Sequence, residues 1–176
     1  LRRLLGDVSL ITRMEDGSQL IEREKVVLNH IIDEIGEELQ ILPEEERFTL
    51  HVEFEEQVVI DGNLSLIASI FRNLTENAIA YSGGTNIYIS LLESNDEWCR
   101  IRFEDDGNGV EEKQLTRLFE RFYRVDKGRS RRMGGTGLGL AIVKHAVQFH
   151  GGVITASNRP NGGLRFDFSL CKQFLK

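Results

Sequence analysis

The chain has 176 residues, 40% of them hydrophobic and 28% charged, which suits one ordinary globular domain with a core of its own. A net charge of −6 argues against a general binder of nucleic acid or of anionic membrane surfaces. No apolar run approaches the ~18 residues of a membrane-spanning helix, and Cys99 and Cys171 are too isolated for a metal or redox pair. They read as reduced packing thiols of a cytosolic protein.

In residues 1–14, Leu1, Leu4, Leu5, Val8 and Ile11 recur at three-and-four spacing and predict an amphipathic helix that stops near Gly17. It is either the end of a longer helix partnered upstream or a core-facing helix of the main domain. The start at Leu1, with neither an initiator methionine nor a signal-peptide layout, reads as a piece of a longer protein. A short strand is expected over residues 20–26. A helix over residues 27–42 follows the pattern Leu28, Ile31, Ile32, Ile35, Leu39 and Leu42, and Pro43 ends it. Residues 48–54 alternate as a strand with Phe48, Leu50, Val52 and Phe54 on one face, and residues 58–60 form a shorter one. Residues 63–81 predict a long helix from an Asn or Ser cap, with Leu64, Ile67, Ile70, Leu74 and Ala78 inward and Gly83-Gly84 as its stop.

Strands at residues 86–92 and 98–104 form a hairpin, followed by an acidic glycine turn at 105–110 and a helix at 112–122. A basic, glycine-flanked loop leads to a second apolar helix that ends at Gly151-Gly152, and strands at 153–157 and 164–170 close the chain as another hairpin. This order predicts an α+β fold: a two-layer α/β sandwich with a mixed, mostly antiparallel sheet covered on one face by helices.

Four clusters carry chemical potential. Asn73 and Asn77 lie four apart on one helix face, where asparagine is a poor helix former; their amide oxygens could ligate a hard cation, or the face could be a solvated polar stripe. Asp105-Asp-Gly-Asn-Gly109 follows a strand. Its first carboxylate could accept from an exocyclic amine while the glycines admit a flat ring, or the stretch could be a plain acidic turn. Residues 118–126 are aromatic and basic and run into Lys127-Gly-Arg-Ser-Arg-Arg132, a stretch suited to polyphosphate or simply to solvent. Gly134, Gly135, Gly137 and Gly139 open a helix whose free N–H groups and dipole suit an anion. Other motifs are absent: no glycine run precedes Lys-Ser or Lys-Thr, no dinucleotide fingerprint or calcium loop is present, and the His-Arg-Asp and Asp-Phe-Gly kinase signatures are missing. His145 and His150 have no ligand partner at useful spacing and read as structural.

Taken in order, these clusters resemble the catalytic ATP-binding domain of bacterial sensor histidine kinases, in the family that includes DNA gyrase, the heat-shock chaperone and mismatch-repair ATPases. Residues 73–81 resemble the asparagine box, residues 105–109 the first glycine box, residues 118–124 the phenylalanine box, and residues 135–145 the second glycine box. The resemblance implies ATP and Mg²⁺ as ligands. Asp105 would take the adenine amine beside Gly107 and Gly109, and Tyr81 would line the base or ribose. Asn77, helped by Asn73, would hold Mg²⁺. The stretch Gly135, Thr136, Gly137, Leu138 and Gly139 would cradle phosphates under a lid over residues 123–134. Asn73, Arg121 and Arg124 are the implied catalytic residues, the arginines steadying charge on the transferring phosphoryl.

By the same resemblance, residues 1–16 would end the second helix of a dimerisation and phosphoacceptor hairpin, and residues 17–176 would be the ATP-binding domain. Expected partners are that hairpin and a response regulator, with no nucleic acid and no direct membrane contact. The whole protein is expected to be a homodimeric, membrane-anchored sensor with this part in the cytoplasm. Three features depart from the pattern: Ala80 stands where a lysine is frequent, Leu164 where a small hydroxyl residue is frequent, and no His-Glu or His-Asp with a nearby proline occurs. The acceptor histidine is therefore expected upstream, since His30 and His51 are poor candidates. The alternatives in the same fold are an ATP-hydrolysing or a serine-phosphorylating relative and a degenerate nucleotide-binding module.

Overall fold

The structure, a computed structural model, describes residues 22–123 and 137–173. The helix expected at residues 1–14 and residues 124–134 of the expected lid lie outside the described residues.

β1 (Glu24–Val27) runs directly into α1 (Leu28–Gln40), which buries Leu28, Ile31, Ile32, Ile35 and Leu39 along one stripe. β2 (Thr49–Glu53) and β3 (Val59–Gly62) follow. α2 (Leu64–Asn77) starts at Asn63, whose side-chain oxygen accepts the Leu66 N–H at 2.9 Å. α2 widens into a π-helical turn at Ala78–Ser82 and stops at Gly83, where φ is +76°. β4 (Asn86–Ser94) and β5 (Trp98–Asp105) make the expected hairpin, and the short α3 (Glu112–Leu115) comes next. α4 (Gly139–Phe149), β6 (Ile154–Asn158) and β7 (Leu164–Cys171) complete the described chain.

The strand order of the main sheet is β2-β4-β5-β7-β6; β2 and β4 are parallel and every other pair is antiparallel. β1 and β3 form a separate two-stranded antiparallel sheet. β7 alternates buried and half-buried residues along its whole length, the period-two pattern of a sheet with one covered face. On that face Ile87, Ile89, Ile101, Phe103, Phe166 and Phe168 meet Ile67, Ile70, Phe71 and Leu74 of α2 and Val143, Ala146 and Val147 of α4. Phe71 meets Phe168 edge to face, with ring centroids 5.8 Å apart. The other face carries polar ladders: Arg102 forks onto Asp167 at 2.7 and 3.2 Å, and Arg165 donates to Glu104 at 2.8 Å. The expected α+β sandwich with a mixed sheet and one helix-covered face is therefore observed.

Local expectations differ in three places. Leu64, expected inward, is 45% exposed because it stands on the outer side of the first turn of α2; Leu66 and Phe71 take the inward positions. The helix expected over residues 63–81 ends at Asn77 and continues as the π turn. The helix expected over residues 112–122 is limited to Glu112–Leu115 and continues as successive turns, with Arg117 bonded to Gln114, Glu120 to Arg117 and Tyr123 to Glu120.

Candidate nucleotide-binding site

α2 and α4 pack side by side on the covered face of the sheet, which places the Asn73 face of α2 against the first turn of α4. The Asn73 amide nitrogen donates to the Ser69 carbonyl at 2.8 Å, and among the described residues its Oδ1 takes no hydrogen bond. A Cβ added to Gly139 would lie 3.1 Å from that oxygen, so only a glycine gives this approach without crowding. Asn77 and Tyr81 stand one and two turns further along the same element, both half-buried. Gly137 holds φ at +79°, and Leu138, 1% exposed, anchors the start of α4, its carbonyl accepting the Ile142 N–H at 2.9 Å.

Asp105 ends β5 and is 3% exposed. Its Oδ1 accepts the Gly107 N–H at 2.9 Å and the Leu164 N–H at 3.2 Å, while among the described residues Oδ2 takes no hydrogen bond. Burial pushes this carboxyl above the usual carboxylate range, outweighing the two N–H donors and the Arg159 charge that pull the other way. The loop after Asp105 presses against the end of the π turn. The Asn108 N–H donates to the Ser82 carbonyl at 2.8 Å, and a Cβ on Gly107 would strike that carbonyl. Gly109 takes φ +68° and leaves no room for a side chain beside Asn158.

The phenylalanine cluster joins the same edge. Phe122 adopts φ +63°, rare for a bulky residue, and its N–H donates to the Gly137 carbonyl at 2.8 Å. Leu118 is buried, and Phe119 meets Phe166 edge to face at 6.0 Å, which seats the cluster on β7. Arg121 is exposed near α4. His145 is held below its ordinary range by burial first, then by the charges of Arg121 and Lys144. Arg124, Gly135 and Thr136 lie outside the described residues.

The structure thus brings Asn73, Asn77, Tyr81, Asp105, Gly107, Gly109, Arg121, Gly137, Leu138 and Gly139 to one end of the sandwich. It also adds residues that the motif reading passed over. Asn158 clasps Val110, accepting its N–H at 3.0 Å and donating to its carbonyl at 2.7 Å, and Asp106 is bound to Thr85 and Asn86. Nothing in the sequence pairs Asn158 with Val110, 48 positions away, because the contact exists only once the strands are aligned.

Among the described residues no group of three or more His, Cys, Asp or Glu is placed to hold a metal ion. The open amide oxygen of Asn73 and the half-buried Asn77 suit a different donor set, in which a hard cation keeps waters and shares phosphate oxygens. Mg²⁺ carried in on a nucleotide fits that set.

The model of the "Histidine kinase-, DNA gyrase B-, and HSP90-like ATPase" family matches residues 62–173, most of the chain. The chain belongs to this family. Among its relatives, the sensor-like histidine kinase SenX3 of Mycolicibacterium smegmatis is 33% identical over 168 residues, covering 95% of this chain and 44% of SenX3. The sensor histidine kinase WalK of Bacillus subtilis is 31% identical over 175 residues, covering 96% of this chain and 28% of WalK. The chain thus spans less than half the length of either relative. The solved ATP-binding domain of PrrB from Mycobacterium tuberculosis superposes with a TM-score of 0.69 at 25% identity, covering 86% of this chain and 98% of that one.

Proposed function

We propose that this member of the histidine-kinase-type ATPase family is the catalytic ATP-binding domain of a two-component sensor histidine kinase. Residues 17–176 are the ATP-binding unit, and residues 1–16 are the end of the second helix of its dimerisation and phosphoacceptor hairpin. The observation that carries this reading is the mutual fastening of all four motifs: Asn73 beside Gly139, Ser82 bonded to Asn108, and Phe122 bonded to Gly137.

In this reading the open Oδ2 of Asp105 accepts from the adenine amine and Tyr81 lines the base or ribose. Asn77 and Asn73 offer amide oxygens to the nucleotide's Mg²⁺, which neutralises phosphate charge. Backbone N–H groups of Gly137, Leu138 and Gly139 at the start of α4 serve the phosphates, a role assigned also to Gly135 and Thr136 of the same motif. Arg121 or Arg124 steadies the equatorial oxygens of the γ-phosphoryl. A histidine nitrogen on the upstream hairpin attacks the γ-phosphorus as the bond to ADP breaks, and the phosphoryl then passes to a response-regulator aspartate. Positioning and charge supply most of the acceleration in such a transfer. The hydrolytic alternative is disfavoured because Asn73, an amide, cannot take a proton from water. Among the described residues no helix is long and apolar enough to cross a membrane, and we place this domain on the cytoplasmic side of a homodimeric, membrane-anchored sensor.

The test is incubation with Mg²⁺, γ-labelled ATP and the acceptor hairpin of the same protein. Acid-labile, base-stable label on the hairpin is expected. Bound nucleotide with no transfer would identify a nucleotide-sensing module, and steady phosphate release without acceptor would identify a hydrolase.

A further inference from the structure

The start of β4, just past the turn that ends the α2 element, is tied to the residue after β5 through one side chain that the proposed function does not use. β4 begins at Asn86, just after the Gly83-Gly84 turn, and its register sets Ile87 opposite Asp105, hence Asn86 opposite Asp106. Asp106 Oδ1 accepts the N–H groups of Thr85 and Asn86, both at 2.8 Å. Its Oδ2 accepts the Asn86 side-chain amide at 2.8 Å, and its own N–H donates to the Asn86 carbonyl at 3.3 Å. Four hydrogen bonds therefore tie one residue to a two-residue stretch. The fit is close: a Cβ on Gly84 would strike Asp106 Oδ1. The Asn86 amide nitrogen is committed to Asp106, so the 2.9 Å contact between Asn86 Oδ1 and His51 Nε2 has the histidine as donor.

We infer that Asp106, with Asn86 as its partner, is a positioning residue that fixes the base-binding edge of the nucleotide site. It holds the turn carrying Tyr81 at a set distance from the Asp105 carboxylate. This inference rests on the nucleotide-site reading above. Gly83 and Gly84 give the turn a permissive backbone, and Tyr81 lies only two residues before it. Without the clamp, the bond from Asn108 to the Ser82 carbonyl still fastens the near side of the turn, but its far side is released and that freedom reaches the wall facing Asp105, while the phosphate-facing start of α4 keeps its own fastenings through Phe122 and Ile142. The carboxylate is held ready for this role. Burial works against its ionised form, yet donation from Asn86 and Thr85 brings Asp106 below the usual range.

Base discrimination is the property that reads this out. An acceptor at Asp105 favours the 6-amino group of ATP over the 6-oxo group of GTP. The experiment measures the affinities of Mg·ATP and Mg·GTP by calorimetry in wild type, Asp106→Ala, Asp106→Asn and Asn86→Ala, with melting curves for each. Asp106→Ala is expected to weaken ATP by ~10-fold or more and to bring the ATP-to-GTP preference towards unity, as loss of charged hydrogen bonds implies. A merely structural role would lower the melting temperature and leave the preference of the folded molecules intact. Asp106→Asn keeps both Oδ1 bonds, and the Asn86 amide can turn over to meet the new N–H, with His51 as the acceptor. Its preference should return to within ~3-fold of wild type. Asn86→Ala removes the Oδ2 bond together with the Asn86 side-chain contacts to His51 and Thr85 but keeps both Oδ1 bonds; it gives an intermediate loss and decides the matter if Asp106→Ala does not fold. Wild-type preference in folded Asp106→Ala or in Asn86→Ala overturns the inference alone, and Asp106→Asn as impaired as the alanine variant overturns its hydrogen-bond basis. Wild-type protein that binds neither nucleotide overturns the nucleotide-site reading and this inference together.

Discussion

Asp105 is buried with half of its hydrogen-bonding capacity open: Oδ1 holds two backbone N–H groups, and among the described residues Oδ2 holds none. Burial raises its pKa above the ordinary value near 3.8. A carboxyl whose folded-state pKa is raised costs stability as pH climbs past the unfolded value, and the cost is complete above the folded one. At neutral pH the empty site therefore carries an unfavourable charge that a donor from a ligand would relieve. Asp105→Asn tests this with little change in shape. The amide oxygen can keep the Gly107 and Leu164 bonds, while the amide nitrogen presents hydrogens to the adenine amine. Affinity for Mg·ATP should fall by ~10- to 100-fold, as expected for loss of a hydrogen bond to a charged group. The unfolding midpoint at pH 7 should stay level or rise. Undiminished affinity in calorimetric titration would remove Asp105 from the base-binding role.

At the scale of elements, two glycines with opposite surroundings test the packing. A Cβ on Gly36, within α1, would meet Leu50 Cδ2 at an ordinary 3.4 Å, whereas one on Gly107 would strike the Ser82 carbonyl, which is backbone and cannot step aside. Gly36→Ala should therefore stabilise by about 0.5–1 kcal/mol through helix propensity. Gly107→Ala should destabilise by about 1–3 kcal/mol, both read from urea unfolding midpoints. Equal shifts in the two variants would mean that the turn and the loop after Asp105 are not in firm contact. The same contrast explains what the sequence made legible. α1, α2, α4 and β7 were readable because their buried residues recur at three-and-four or at two. The nucleotide motifs were readable because they combine residues otherwise awkward in their elements: two asparagines inside a helix and glycines at its start. Leu64 was misjudged because periodicity marks a face and not how far its cover extends. The Asp106–Asn86 clamp, 20 positions apart, and the Asn158–Val110 clasp were invisible because strand register creates them.

At the scale of the molecule, the two sheets share no strand, and one of their junctions runs through His150 at the end of α4. Its ring is 4% exposed; Nδ1 lies 2.7 Å from the Ala146 carbonyl and Nε2 accepts the Asn63 N–H at 3.1 Å, next to the end of β3. Its carbonyl accepts the Cys171 N–H from β7 at 2.9 Å. A ring that donates at one nitrogen and accepts at the other is neutral, and burial above all holds its pKa below 6.5; the Ala146 bond opposes this and the Arg23 charge adds to it. Here the folded state resists a proton that the unfolded chain accepts. The linkage leaves stability level well above pH 6.5, lowers it as pH falls through 6.5, and levels it again below the folded-state pKa. Each unit by which the pKa is lowered is worth about 1.4 kcal/mol over that window. Half-buried His145, lowered as well, adds a slope of the same sign. His150→Gln can keep both contacts without titrating, so its unfolding free energy should be lower at pH 7.5 yet flatter between pH 7 and 5 than that of wild type. Asp105 slopes the other way in both proteins and cancels in the difference. Identical slopes would show that the junction does not sense His150 protonation. A flatter slope would mean that acid loosens the β1–β3 sheet from the body through one imidazole, at the end of α4 opposite Gly139.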